Sequence, residues 1–283
     1  MRLSSLASRQ LYSLSPDDTI DKAISLMEEH AFHHLPVLVD GKPVGMVSDR
    51  DLLLSVGWTL SHERQEGDQG NRVIGPVSVG EIMSTPVLTA MPDSTALEAA
   101  RLLLEHRIGC VVLTRGSQAI GIVTKLDLLR YTRDLPASDR RMVALQEPVE
   151  QHMRAGVTSV RAKETIPELA RIMHDKEIRH LPVTVDRCLL GVISDRDVRR
   201  AIGRELVEDA QAEASGQLKV WTTAAFEIMN KKVVTVTPEQ SLLDASFLMT
   251  ENSVGALPVV IGEELAGIVT DTDIIKVLAR VED

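Results

Sequence analysis

One pattern occurs four times in the 283-residue chain: glycine, two apolar residues, serine or threonine, two variable positions, aspartate. It reads GMVSDRD at 45–51, GIVTKLD at 121–127, GVISDRD at 191–197 and GIVTDTD at 267–273. A fixed signature repeated at this spacing implies four copies of one supersecondary unit, each burying the same apolar positions. The copies align without gaps. Nine residues before Gly45, Gly121, Gly191 and Gly267 lie Pro36, Val112, Pro182 and Pro258, and seventeen further back lie Thr19, Thr95, Thr165 and Ser241. Twelve residues before those come Ala7, Met83, Met153 and Met229. The repeats therefore cover 7–57, 83–133, 153–203 and 229–279. Successive final aspartates are 76, 70 and 76 residues apart, yet Asp51 to Asp197 and Asp127 to Asp273 are both 146, which is the mark of a duplicated pair.

Each copy reads as β-α-β-β-α. A short strand (LYSL, VLTA, TSVR, VVTV) ends at Pro or a polar turn, and the Thr or Ser that follows caps a helix with apolar residues at 3.6 spacing, such as Ile20, Ala23, Ile24 and Met27. A strand such as LPVLV then turns at Asp40-Gly41 into a second strand, GMVS, and a second helix starts at the Ser/Thr of the signature. The fold class is α/β in the broad sense (α+β). About 50 residues bury too little surface to stand alone, so the repeats are expected to pack as two pseudo-twofold pairs. The expected domains are 1–57, 77–133, 148–203 and 224–283, with polar insertions at 58–76 and 204–225 and a joining segment at 134–147. The second insertion is expected to be partly helical, and Trp58 and Trp221 flank the insertions.

Composition narrows the function classes. A net charge of −10 argues against a nucleic-acid-binding role, and 2% aromatic content argues against a base-stacking platform. There is no apolar run long enough for a membrane span and no signal peptide. Two cysteines, Cys110 and Cys188, make neither a disulfide framework nor a zinc site, so a cytoplasmic setting is expected. The histidines at 30, 33 and 34 show no metal-ligand spacing. With no nucleophile elbow, phosphate loop or dinucleotide fingerprint, the chain is read as non-catalytic.

The aspartates have one structural explanation. Ser48, Thr124, Ser194 and Thr270 stand where the second helix begins, with Asp51, Asp127, Asp197 and Asp273 three residues on. That is close to a capping box, worth roughly 1 kcal/mol per helix. Four such β-α-β-β-α units also resemble cystathionine β-synthase (CBS) domains, whose pairs are called Bateman modules. The four-repeat layout is similar to the gamma subunit of AMP-activated protein kinase and to stand-alone bacterial CBS proteins. The resemblance implies adenosine-containing ligands in clefts between paired repeats, with the aspartate on the ribose hydroxyls. It implies a regulatory, energy-sensing role with AMP, ADP or ATP as ligand and no required cofactor. S-adenosylmethionine, a cyclic dinucleotide or a nicotinamide dinucleotide are alternatives, as is a scaffold with vacant sites.

The repeats differ where charge matters. His33-His34 and Arg179-His180 precede the LPV strands of repeats 1 and 3, whereas repeats 2 and 4 have Gly109-Cys110 and Gly255-Ala256. By the resemblance, phosphates lie over the basic residues and the base slides between the small ones. One expected site takes Ser48, Arg50, Asp51, His33 and His34 with Val87, Ile108, Gly109 and Cys110. The other takes Ser194, Arg196, Asp197, Arg179 and His180 with Val233, Val254, Gly255 and Ala256. The clefts around Thr124 and Asp127, and around Thr270, Thr272 and Asp273, lack the basic pair and are ranked below. An effector protein would read the bound state, and the chain is expected either to dimerise or to close on itself as a disk. If His33, His34 and His180 face phosphate, binding tightens as pH falls from about 8 to about 6.

Overall fold

The structure is a computed structural model that describes residues 1–8, 10–53, 78–209 and 222–281, with the side chains of 203–209 left out. The first insertion and both tryptophans lie outside the described residues. Of the second insertion, residues 204–209 continue a helix.

Four copies of one unit are present. Repeat 1 has α1 (Ile20–His30), β1 (His34–Val39), β2 (Lys42–Ser48) and α2 (49–53). Repeat 2 has α3 (Val79–Ile82), β3 (Thr89–Ala90), α4 (Ala96–Glu105), β4 (Cys110–Arg115), β5 (Gln118–Thr124) and α5 (Lys125–Tyr131). A short helix α6 (Arg140–Ala144) joins the halves. Repeat 3 has β6 (Arg154–Ala155), α7 (Ile166–Asp175), β7 (His180–Val185), β8 (Cys188–Ser194) and α8 (Asp195–Asp209). Repeat 4 has α9 (Ala225–Ile228), α10 (Leu242–Asn252), β9 (Ala256–Ile261), β10 (Glu264–Thr270) and α11 (Asp271–Arg280).

Local chemistry explains the elements. Thr19 caps α1 by accepting from the Lys22 amide at 3.2 Å, and Thr95 and Ser241 accept likewise from Glu98 and Asp244. The helices α1, α4, α7 and α10 are each followed by a left-handed residue at one aligned place: Ala31, Arg107, Glu177 and Ser253. The β1–β2 hairpin turns on Asp40 and Gly41, both at positive φ, as its tight turn requires. The expected first strands are shorter than the sequence indicates. Only β3 persists over two residues, and Leu14, Val160 and Val236 each make a single parallel bridge to the following strand. In repeats 1 and 4 a proline two residues on, Pro16 or Pro238, has no amide to extend the ladder.

Paired repeats exchange backbone. Met46 and Ser84 trade hydrogen bonds of 3.1 and 2.8 Å, so repeat 2 enters along the second hairpin strand of repeat 1. Val192 and Asn230 do the same for repeats 3 and 4, and β6 pairs with β10. This explains the invariant spacing of methionine and glycine in the sequence. A methyl group on Gly191 would lie 2.7 Å from Met229 Sδ, and one on Gly267 would lie 2.6 Å from Met153 Sδ. One on Gly45 would press on the Met83 side chain, with Met83 Cβ 3.0 Å away.

The two pairs then share a core. Helices α4 and α5 pack on α10 and α11, and one buried cluster runs through Leu103, Leu128 and Leu129 of repeat 2 and Met249, Ile274 and Leu278 of repeat 4. The joining segment is part of this core: Leu145 is fully buried, and its carbonyl accepts from the Leu243 amide. Repeats 1 and 3 keep separate cores, bridged by Leu53, which packs into the cluster of repeat 3. Repeat 1 thus meets repeats 2 and 3, repeat 4 meets repeats 2 and 3, and the chain closes into a ring of four.

Gly45→Ala should destabilise the fold by about 1–3 kcal/mol. Met83→Ala in the same chain should recover part of that loss in a denaturant double-mutant cycle, because the clash is with that one side chain. Strict additivity would show that the exchange contact does not set the glycine.

Candidate ligand-binding clefts

All four signature aspartates close a capping box. Asp51 Oδ2 accepts from the Ser48 amide at 2.8 Å and from Ser48 Oγ at 2.6 Å. Asp197 and Ser194 repeat those two distances, and Asp127 and Asp273 hold Thr124 and Thr270 in the same way. The cap uses one carboxylate oxygen in every case. The second oxygen separates the copies. Asp127 Oδ1 accepts from Arg130 at 2.8 Å, Asp273 Oδ1 from Lys276 at 3.0 Å, and Asp51 Oδ1 from Ser84 Oγ at 3.1 Å. Asp197 Oδ1 takes no partner among the described residues.

Contacts across the first pair run beside two of the expected cleft residues, Asp51 and Cys110. Ser84, in the entry segment of repeat 2 that leads to Val87, reaches Asp51 of repeat 1, and Cys110 Sγ lies 3.9 Å from Met46 Sδ. Ile108 and Val254 lie partly buried against the large core. Val233 and the Ser194–Asp197 turn are half-buried, Ala256 is buried, and Arg50 is exposed. Burial pushes the Cys110 thiol up to about 12, so it packs as an apolar group.

Two expectations change on structural grounds. Gly109 does not open a slot for a base, because the His34 ring lies directly over it, and a methyl group there would overlap the ring. At Gly255 a methyl group would lie 3.2 Å from Asp271 Oδ2 and 3.8 Å from His180 Cε1. Gly109 therefore lets a histidine of the partner repeat approach, and Gly255 makes room for Asp271 of its own repeat. The histidines are also not cationic. Burial, reinforced by Arg179 and then His33, pushes His34 down to about 3, and burial followed by Arg179 pushes His180 down to about 4. In the free fold neither ring carries a proton between pH 8 and 6, so the expected tightening could come from them only if a bound phosphate raised their affinity for it.

The charged side chains meet at the junction of all four repeats instead of staying within a pair. Arg199 is buried and its Nε donates to Asp49 Oδ1 at 2.9 Å across the repeat 1–3 seam. His33 Nδ1 lies 2.8 Å from Asp49 Oδ2, and the Arg196 guanidinium lies against the His33 ring. Burial works against the Asp49 carboxylate, but the His33 hydrogen bond and the charge of Arg199 more than offset it, so its pKa lies below the ordinary value. Across the repeat 2–4 seam, Lys125 Nζ donates to Thr272 Oγ1 at 2.8 Å and lies 3.7 Å from Asp271. Asp49, Asp271, Lys125 and Arg199 carry no weight in the sequence reading. A signal was present: the residue after the Ser/Thr is Asp49, Asp195 and Asp271 in three copies and Lys125 in the fourth.

Among the described residues, no group of three or more His, Cys, Asp or Glu gathers as a metal site, and no helix is long and apolar enough to cross a membrane.

The geometry is that of paired repeats with a capped aspartate in every cleft, and the family model named CBS domain matches four segments, 3–57, 79–134, 149–204 and 225–280. The chain belongs to the CBS domain family. In particular it is similar to protein MJ1225 of Methanocaldococcus jannaschii, with 25% identity over 279 residues and 96% of each chain covered. The solved structure of MJ1225, described as that of a candidate archaeal homologue of g-AMPK, superposes with a TM-score of 0.84 over 99% of this chain and 100% of its own. A 33.4 kDa protein from the ribosomal RNA operon of Thermofilum pendens is 27% identical over 90% of this chain and 84% of its own length. A Pyrococcus horikoshii structure shares the fold at 20% identity, with a TM-score of 0.62 over 98% of this chain and 100% of its own.

The neutral histidines set the acid response of the fold. In the unfolded chain both return to the ordinary 6.5, so the unfolded state binds protons that the folded state refuses. Their contribution is intact above about pH 6.5 and is lost as pH falls toward the folded values, by up to about 1.4 kcal/mol per pH unit for each histidine. Chemical denaturation between pH 8 and 5 should show stability flat at first and then falling. His34→Asn and His180→Asn should each flatten the fall; an unchanged slope in both would mean the rings titrate normally.

Proposed function

We propose that the chain is a non-catalytic regulatory protein that binds adenine nucleotides between paired CBS repeats and passes the bound state to an effector protein. One observation carries the reading. The aspartates spend a single oxygen on the cap, and at Asp197 the other oxygen takes no partner among the described residues. A carboxylate oxygen has two lone pairs, enough to accept from both hydroxyls of a ribose diol. The half-buried Val233 and Val254 of repeat 4 supply apolar faces for a base, and Arg196 and Arg179 offer donors to phosphate. The Arg196 Nε is buried and makes no hydrogen bond. Repeat 1 offers a second site of the same kind at Ser48, Arg50 and Asp51, with His33 and His34 beside Val87, Ile108, Gly109 and Cys110 of repeat 2. Because a bound nucleotide touches two repeats, it stiffens or turns their exchange contact, and an effector that contacts both repeats reads the difference.

Asp→Asn is the discriminating change. Asparagine keeps a carbonyl oxygen for the cap and turns an amide toward the ribose. Calorimetric titration of nucleotide-stripped protein with AMP, ADP, ATP and S-adenosylmethionine should show a phosphorylated ligand preferred. The Asp51→Asn/Asp197→Asn variant should bind it about 10- to 150-fold more weakly, the loss of one charge-assisted hydrogen bond, with a melting temperature close to the parent's. If none of the four ligands binds, the aspartates are caps alone and the ring is a scaffold.

A further inference from the structure

Exposed apolar side chains are concentrated at two places. Among the described residues nine large hydrophobic side chains are exposed, and five of them, Val39, Ile120, Val185, Leu190 and Ile261, lie at the hairpin ends. Single exposed apolar residues are ordinary, whereas a cluster marks a surface that is covered in use.

The two hairpins of each pair lie side by side at these ends. In the second pair the Leu189 amide donates to the Glu263 carbonyl and the Leu265 amide to the Arg187 carbonyl, both at 3.0 Å. Val185, Cys188, Glu264 and Ile261 therefore form one row across β7, β8, β10 and β9. In the first pair the Ala119 amide donates to the Gly41 carbonyl at 2.9 Å, which sets the aligned row Val39, Lys42, Gln118 and Arg115 across β1, β2, β5 and β4. Side chains opposite each other in a ladder share a face. Two residues inward on that face Val37, Val183 and Val259 are fully buried, so each row lies just past the apolar core.

Strand propensity accounts for the β-branched residues in these rows but not for the charges, which segregate by pair. Segments 39–42 and 115–118 together carry a net charge of +1, and segments 185–188 and 261–264 together carry −2. Lys42 and Arg115 are exposed and make no hydrogen bond or ion pair among the described residues. Glu264 meets Arg187 at 3.6 Å, a pair of exposed groups that is easily exchanged. Both ends are exposed, so they do not meet each other within one chain. Two surfaces that are each apolar and opposite in charge are complementary between chains.

We propose that the hairpin end of the first pair docks on the hairpin end of the second pair in another copy of this chain. Val39 and Ile120 then cover Val185, Leu190 and Ile261, and Lys42 and Arg115 face Glu263 and Glu264. The contact is heterologous, because each copy uses a different end toward each neighbour, so association continues past a dimer unless it closes on itself. Each row is small beside the roughly 20–30 residues a side of a stable interface, so the contact is weak and sensitive to salt. The inference does not depend on nucleotide binding.

Sedimentation velocity on the full chain in reductant, from about 10 to about 500 µM, should show reversible association that weakens about 10-fold or more between about 50 and about 500 mM salt. Lys42→Glu/Arg115→Glu should weaken it about 10-fold or more, Glu263→Lys/Glu264→Lys should do the same, and the four changes in one chain should restore it. Ile261→Ser should weaken association and leave its salt dependence in place. All five positions are exposed, so melting temperatures should stay close to the parent's. A monomer at every concentration would overturn the proposal. So would association that survives Lys42→Glu/Arg115→Glu, which means that like ends meet, or charge reversals whose combination restores nothing. Association seen only without reductant would reduce it to a Cys188 disulfide.

Discussion

The hydrogen bonds between Met46 and Ser84, and between Val192 and Asn230, join the entry segment of one repeat to the hairpin of its partner. Most of the architecture depends on that exchange. With the matching β6–β10 pairing, it fixes the glycines at 45, 191 and 267, because the methionine just before each crossing residue lies where a Cβ would be. It also brings the residue that enters one repeat beside the aspartate of the other, as Ser84 reaches Asp51. A unit of about 50 residues buries too little surface to be stable by itself, so sharing backbone across the pair is a requirement of size. The candidate clefts are a by-product of that sharing, since they lie where the two chain segments cross.

The signature aspartate answers to two demands without conflict. One oxygen closes the cap and stabilises the start of the helix; the other remains to meet a neighbour or a ligand. What distinguishes the copies is the neighbour. Arg130 and Lys276 sit one turn along the helix in repeats 2 and 4 and engage their aspartates in exposed or half-exposed ion pairs, which are weak and easily exchanged. Identical caps can therefore accompany clefts of different availability.

Electrostatics operates on a larger scale than the pair. Asp49, Arg199, Arg196 and His33 meet across one seam, and Lys125, Asp271 and Thr272 across the other. His34 and His180 lie among these positive charges and are held neutral by burial, so they separate the charged groups and add no charge themselves. The two seams differ in kind. Repeats 2 and 4 share one apolar core, whereas repeats 1 and 3 meet through Leu53, the pairs of Arg199 with Asp49 and Glu28, and the Arg196–His33 contact.

The sequence alone determined the four copies, their order of elements, the α+β class and the membership of the CBS family. It did so because a repeated apolar pattern with Ser/Thr-x-x-Asp at fixed spacing encodes local structure: helix period, cap and hairpin are set by residues a few positions apart. It also placed the aspartates at helix starts. It could not show that Gly109 makes room for His34, because the atoms that fill the space come from the partner repeat more than 70 residues away in the chain. Nor could it reveal that Lys125 donates to Thr272 of repeat 4, a contact spanning 147 positions. Charge in this protein acts between repeats that periodicity treats as independent copies. Only the closing of the ring decides which cation faces which aspartate, because that depends on which copies touch, and the repeat pattern is the same for every order in which they might.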